Sequence, residues 1–217
     1  MNVHLQREVE KLKKKILSYS AYVESALHKA IKSLKDRDVK LAENVIEHDK
    51  ELDQLEVEIE EDCLKILALH TPVANDLRFI IAVLKINNDL ERIADQGANI
   101  AGRVPSLCNY DSWVMPNELN LLVERSQSML KKSLEALINL DVNKAKEVIA
   151  QDDEVDELNS KMYKIMEEMI SQHPDKIDCF INILTVSRNL ERVADLVTNI
   201  AEDIIYMVKG EIVRHKI

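Results

Sequence analysis

The chain has 217 residues, 46 % of them apolar, only 3 Gly and 4 Pro, and a formal net charge of −10 at pH 7. That apolar content is enough for a core and speaks against disorder, and the scarcity of turn residues favours a few long helices. The acidic balance argues against a nucleic-acid backbone as partner, since such proteins cluster Lys and Arg to neutralise phosphates.

Apolar residues at Leu5, Val9, Leu12, Ile16, Tyr19, Val23, Leu27, Ile31 and Leu34 recur every three or four places and predict a first helix ending near Asp36. Its KLKKK run, Lys11 to Lys15, adjoins Glu8 and Glu10 and reads as the wet face of that helix rather than a membrane-surface patch. Residues 1–35 carry eight Lys or Arg against three acids, and residues 38–62 eleven acids against two Lys, so the first two helices complement each other in charge. Asp38 is placed to cap a second helix running to about Leu69. Thr71 and Pro72 then form the cap and first turn expected for a third, ending near Val104.

The stretch VPSLCNYDSWVMP, Val104 to Pro116, breaks the periodicity and reads as a linker. Beyond it, helices are expected near 117–140, 142–172 and 174–209, with Asp141 placed like Asp38 and Pro174 like Pro72. The longest clear apolar run, Phe79 to Leu84, is six residues, far short of the ~20 that a membrane helix needs, and the N-terminus lacks a signal-peptide core. Cys63, Cys108 and Cys179 form no CxxC pair and suit reduced thiols. A cytoplasmic protein without direct membrane insertion is therefore expected.

The plan is stated twice. LERIADQGANIA, residues 90–101, returns as LERVADLVTNIA, residues 190–201, with eight of twelve positions identical. DVKLAENVIEHDKELDQL from Asp38 aligns without a gap on DVNKAKEVIAQDDEVDEL from Asp141. The expected fold is all-α: two tandem antiparallel three-helix bundles related by internal duplication, residues 1–104 and 117–217, joined by a linker at 105–116.

On the third helix Leu90, Ile93, Ala94, Gly97, Ile100 and Ala101 share the core side, while Glu91, Asp95 and Asn99, spaced by four, form a stripe off it. Asp49, Asp53, Glu56 and Glu60 line up on the second helix, and the second half offers Asp152 and Asp156 with Glu191 and Asp195. One acidic stripe alone reads as a solvated face, with Arg92 and Arg192 making intrahelical pairs of roughly 0.2 to 0.5 kcal/mol. Two stripes meeting across adjacent helices are a different matter. Carboxylates ~5.5 Å apart repel by about 3 kcal/mol at an effective dielectric of 20, so four of them want a cation or abundant water. Mg²⁺, Ca²⁺, Mn²⁺ or ferric iron suit an all-carboxylate donor set, and a site off the core is open to water, which favours binding over catalysis.

The enzyme rival is a di-iron oxidase or a related metal-dependent bundle protein, whose sites use Glu-x-x-His pairs. None of His4, His28, His48, His70, His173 and His215 has Glu three places before it, and His48 beside Asp49 reads as a solvent residue. Nucleophile elbow, Walker loop and dinucleotide fingerprint are absent from the sequence, so no catalytic residue is assigned.

With these residues in view, the chain resembles the PhoU family, bacterial phosphate-uptake regulators and accessory proteins of the phosphate-specific transporter. The likeness is strongest in DLRFIIAVLKINNDLERIADQGANIA, Asp76 to Ala101, and LERVADLVTNIAEDIIYMVKGEIVRH, Leu190 to His215, and spans nearly the whole chain. It implies a non-enzymatic regulator, usually dimeric, that represses the phosphate-starvation response when phosphate is ample. In that role it would bridge the phosphate ABC transporter's ATPase subunit and a membrane-bound sensor histidine kinase. The family's E(D)xxxD motifs, which can hold metal clusters (Fe, Mn or Mg ions), correspond here to Asp49 with Asp53, Glu91 with Asp95, Asp152 with Asp156, and Glu191 with Asp195. Asn99 and Asn199 extend the stripes as weaker candidates. Many relatives carry Gly-Asp-His within the motif, whereas this chain has Ala94, Asp95, Gln96 and Ala194, Asp195, Leu196; the supporting His is missing in both halves.

Overall fold

The computed structural model describes residues 3–110 and 114–213. Positions 111–113 of the expected linker and 214–217, with His215, lie outside the described residues. The elements in chain order are α1 (Val3–Asp36), α2 (Val39–His70), α3 (Ala74–Ala101), α4 (Val104–Cys108), α5 (Asn117–Asn139), α6 (Val142–Ile149), α7 (Asp152–Gln172) and α8 (Ile177–Lys209), with one 3₁₀ turn at Pro174–Lys176. Helices α1, α2 and α3 pack on one another, as do α5, the α6–α7 pair and α8. No helix among the described residues is long and apolar enough to cross a membrane.

The duplication reaches the backbone of the turns. Arg37 and Leu140 adopt the left-handed conformation, with φ of 55° and 52°, and each is followed by an aspartate that caps the next helix. Asp38 accepts from the Leu41 amide at 3.0 Å, and Asp141 accepts from the Asn143 and Lys144 amides at 2.9 and 3.1 Å. Such caps satisfy donors that the first turn cannot. Asp141→Ala and Asp38→Ala are each expected to lower stability by about 1 kcal/mol, read as a shift of the urea midpoint at unchanged slope.

Three boundaries differ from the sequence expectation. Thr71 does not cap α3; it ends α2 in the left-handed conformation (φ 42°), and α3 starts after Val73 without a side-chain cap. Helix α3 stops at Ala101, and part of the linker winds into the short α4. The helix expected at 142–172 is interrupted at Ala150 and Gln151, both still right-handed. Asp152, Asp153 and Glu154 follow, and three acids in succession favour a helix N-terminus there. The aligned run in α2 is Asp49, Lys50 and Glu51, whose central cation removes that bias.

The two halves lie side by side, joined chiefly along α3 and α8. Lys85 Nζ meets Asp203 Oδ1 at 3.3 Å and sits 5.3 Å from the Tyr206 ring centroid, while Arg78 lies against Gly210. Position 78 opposite 210 and 85 opposite 203 make the seam antiparallel. This register brings the two repeated phrases alongside each other at its middle, where Leu90, Ile93, Ala94, Leu190, Val193 and Ala194 are all buried. The charge complementarity expected of the first two helices is carried by Lys15, whose Nζ bridges Glu58 at 3.2 Å and Asp62 at 2.8 Å on α2, whereas Lys11 pairs within α1 with Glu8.

Candidate metal centre

Each half sets an acidic cluster between its middle and last helices. Side-chain bridges fix the register of those helices a turn away. In the first half the Asn87 amide donates to Glu56 O at 2.9 Å and Glu56 Oε1 at 3.1 Å; in the second, the Ser187 hydroxyl donates to Asn159 Oδ1 at 2.7 Å. With α2 held against α3, carboxylate oxygens of Asp49, Asp53 and Asp95 lie within 4.8 Å of one another. With α7 held against α8, Asp156, Glu191 and Asp195 do the same. A hard cation with ~2.1 Å bonds separates opposite ligands by ~4.2 Å, so small side-chain rotations suffice to close either trio on one ion.

Electrostatics tie the fourth acid of each half to its trio. Desolvation between the helices, then Asp95 and Asp53, push the Asp49 carboxyl up to about 6. Desolvation and the neighbouring acids also raise Glu91 and Asp95. In the second half Asp152 is pushed up to about 6 by desolvation, then by Asp195 and Asp156; Asp195 reaches about 6 through desolvation, Glu191 and Asp156, with Arg192 pulling the other way. Asp195 reaches water, yet its carboxyl still feels the helices packed around it. Asp152 Oδ1 is buried, and the buried Thr198 hydroxyl beside it pulls the carboxyl back down. Three carboxylates crowded within 4.8 Å are what a cation would satisfy, and the all-oxygen donor set fits Mg²⁺, Mn²⁺ or ferric iron. No histidine joins either trio among the described residues, so the Glu-x-x-His donor set of a di-iron oxidase is not assembled here.

Comparison with known proteins gives these clusters a setting. The family model described as "PhoU domain" matches twice, over residues 16–104 and 119–204. The chain belongs to the PhoU family. A PhoU homolog of Aquifex aeolicus, named a phosphate-specific transport system accessory protein, is 36 % identical over 212 residues, covering 98 % of this chain and 96 % of its own. The crystal structure of PhoU from Pseudomonas aeruginosa is similar with a TM-score of 0.91 at 33 % identity, over 95 % of this chain and 99 % of that one. The phosphate transport system regulatory protein PhoU of Streptococcus pneumoniae gives 0.85 at 30 % identity, over 96 % and 98 %. Each PhoU domain match contains one complete acidic cluster.

Asn99 is exposed, and Asn199 lines the inter-half groove with Lys85, Asn88, Asp89 and Arg92, on the α3 side of α8. Arg92 reaches Asp89 at 3.4 Å rather than an acid of the stripe. His48 is exposed, with Nδ1 2.8 Å from Asn44 O. Tyr19 has a place at the first cluster that apolar periodicity does not reveal. It is 1 % exposed, its hydroxyl has no partner among the described residues, and desolvation with Glu56, Glu91, Asp53 and Asp49 holds its phenol well above the usual range. Leu122 takes this place in the second half, where the buried hydroxyl beside the acids is instead that of Thr198, which pulls the Asp152 carboxyl down. The signal was present in sequence: a tyrosine on an aliphatic core stripe needs a polar outlet for its hydroxyl.

Proposed function

We propose that this chain is a non-enzymatic accessory and regulatory protein of phosphate uptake that holds hard metal ions at two carboxylate sites, one in each half. The observation that carries the metal reading is the recurrence of a trio of acids within 4.8 Å in both halves, with two members of each, Asp53 with Asp156 and Asp95 with Asp195, aligned by the sequence duplication. Full-length likeness to phosphate-specific transport accessory proteins supports the phosphate role. Asp49, Asp53 and Asp95, with Glu91 beside them, hold one site; Asp156, Glu191 and Asp195, with Asp152, hold the other. Bound Fe, Mn or Mg would neutralise the crowded acids and lock the middle helix of each half to the last.

In this reading the protein is a cytoplasmic adaptor, a homodimer that meets the phosphate transporter's ATPase subunit on one side and a sensor histidine kinase on the other. It reaches the membrane only through them. Deleting the gene in its host is expected to derepress phosphate-starvation genes in phosphate-rich medium, measured as reporter expression. Expression that stays repressed overturns the regulatory reading.

A further inference from the structure

A groove of about 560 Å³ opens on the other flank of α2, between α1 and α2, with Tyr22 and Ala26 on one wall and Glu51, Leu52 and Leu55 on the other. In the second half, side chains occupy the same register. The alignment is fixed by the Asp38 and Asp141 caps and by the core pairs Leu27 with Leu130 and Leu34 with Leu137. Met129 takes the place of Ala26 and is fully buried, whereas Ala26 is half-buried. Arg125 takes the place of Tyr22, and its Nε donates at 2.9 Å to Oε1 of Glu154, the counterpart of Glu51. Among the described residues Glu51 has no such cation. At the positions of Tyr22 and Ala26 the second half thus displays what the first half leaves out, one cation and one long apolar side chain a helical turn apart, while Lys29, one turn beyond Ala26, and Glu58 also line the groove.

We propose that this groove docks a helix of a partner protein presenting an arginine and a methionine or leucine one turn apart. The guanidinium meets Glu51, and the apolar chain fills the space that Ala26 leaves beside Leu52 and Leu55. Apolar burial supplies affinity in such helix-in-groove contacts, while the exposed charge pair orients the helix. A chain of net charge −10 also draws a basic segment toward it. The inference stands independently of the phosphate reading and of the metal sites.

The test uses the full chain and a fluorescent 18-residue alanine-based helical peptide with Arg and Met four residues apart, followed by anisotropy. Saturable binding is expected, at least tenfold weaker for the double variant Tyr22→Arg with Ala26→Met, which fills the groove from within as the second half does. Glu51→Arg is expected to lose this peptide and to gain its Arg-to-Glu counterpart. Thermal melts showing the double variant at least as stable as the parent establish that lost binding is not lost folding. Absence of saturable binding, or equal binding by parent and variants, overturns the proposal. So does a dimer that becomes monomeric in the double variant without any effect of peptide, because the occupant is then a second copy.

Discussion

Asp95→Asn is expected to remove about half of the metal bound by the full chain, leaving the Asp156, Glu191 and Asp195 site loaded; Asp195→Asn is expected to do the reverse. The two clusters sit between different helix pairs, α2 with α3 and α7 with α8, and share no ligand, so their losses add. Asparagine keeps the shape of the side chain but removes its charge, and a trio of acids that loses one member holds a hard cation far less tightly. In chelator the same substitution relieves repulsion around Asp49, so Asp95→Asn melts at or above the parent temperature; with Mn²⁺ it melts below it. Elemental analysis after mild dialysis, paired with melts in Mn²⁺, Mg²⁺ or iron, reads both effects. A parent protein that retains none of these ions and melts alike with all of them returns the stripes to solvated faces.

The legible parts of the fold were those governed by local chemistry. Asp38 and Asp141 could be named as caps because an aspartate before a periodic apolar run satisfies orphan amides wherever it occurs. Thr71 and Pro72 obey the same local rule and fail it, because the chain leaves α2 through a left-handed turn at Thr71 itself. Nothing in the residue types signals that turn, since Arg37, Thr71 and Leu140 adopt positive φ without glycine. The interruption at Ala150 falls where the two halves differ, with Ala150, Gln151 and Asp153 against Glu47, His48 and Lys50. Side-by-side packing of the halves lay beyond periodicity altogether, because an apolar face says that it is covered and not by what.

The candidate site was legible at the level of helix faces. Four-residue spacing places Asp49 with Asp53 and Glu91 with Asp95 on their stripes. Which oxygens meet depends on how the helices cross, and the halves differ: Asp95 joins both acids of α2, whereas Glu191 and Asp195 of α8 join only Asp156 of α7. Spacing also could not distinguish Asn199 on the seam side of α8 from an extension of the acidic stripe. Tyr19 was counted as core by its position and is core, yet its hydroxyl lies in the field of the first cluster.

The stability of the metal-free protein is expected to fall as pH rises from about 4 to 6, and the slope is expected to reverse when Mn²⁺ is present. Asp49, Asp152 and Asp195 have folded-state carboxyls at about 6, well above the ordinary aspartate value of ~3.9 that they regain on unfolding. Below pH 4 these groups are protonated in both states and cost nothing. Between 4 and 6 the unfolded chain gives up protons that the folded chain retains, so rising pH favours unfolding, and the loss is complete above the folded value. Water reaches both clusters, so the loss is on the order of 1 kcal/mol per cluster rather than the full shift. A bound cation requires ionised ligands, and its affinity therefore grows over the same range, which turns the slope upward. Urea midpoints at pH 4.5, 5.5 and 6.5, in chelator and in Mn²⁺, for the parent and for the combined Asp49→Asn and Asp195→Asn variant, isolate the clusters from every other titrating group. The variant should flatten both slopes; equal slopes in chelator and in Mn²⁺ for the parent would show that these acids do not gather around a cation, and equal slopes for parent and variant in chelator would show that they do not repel in the folded state.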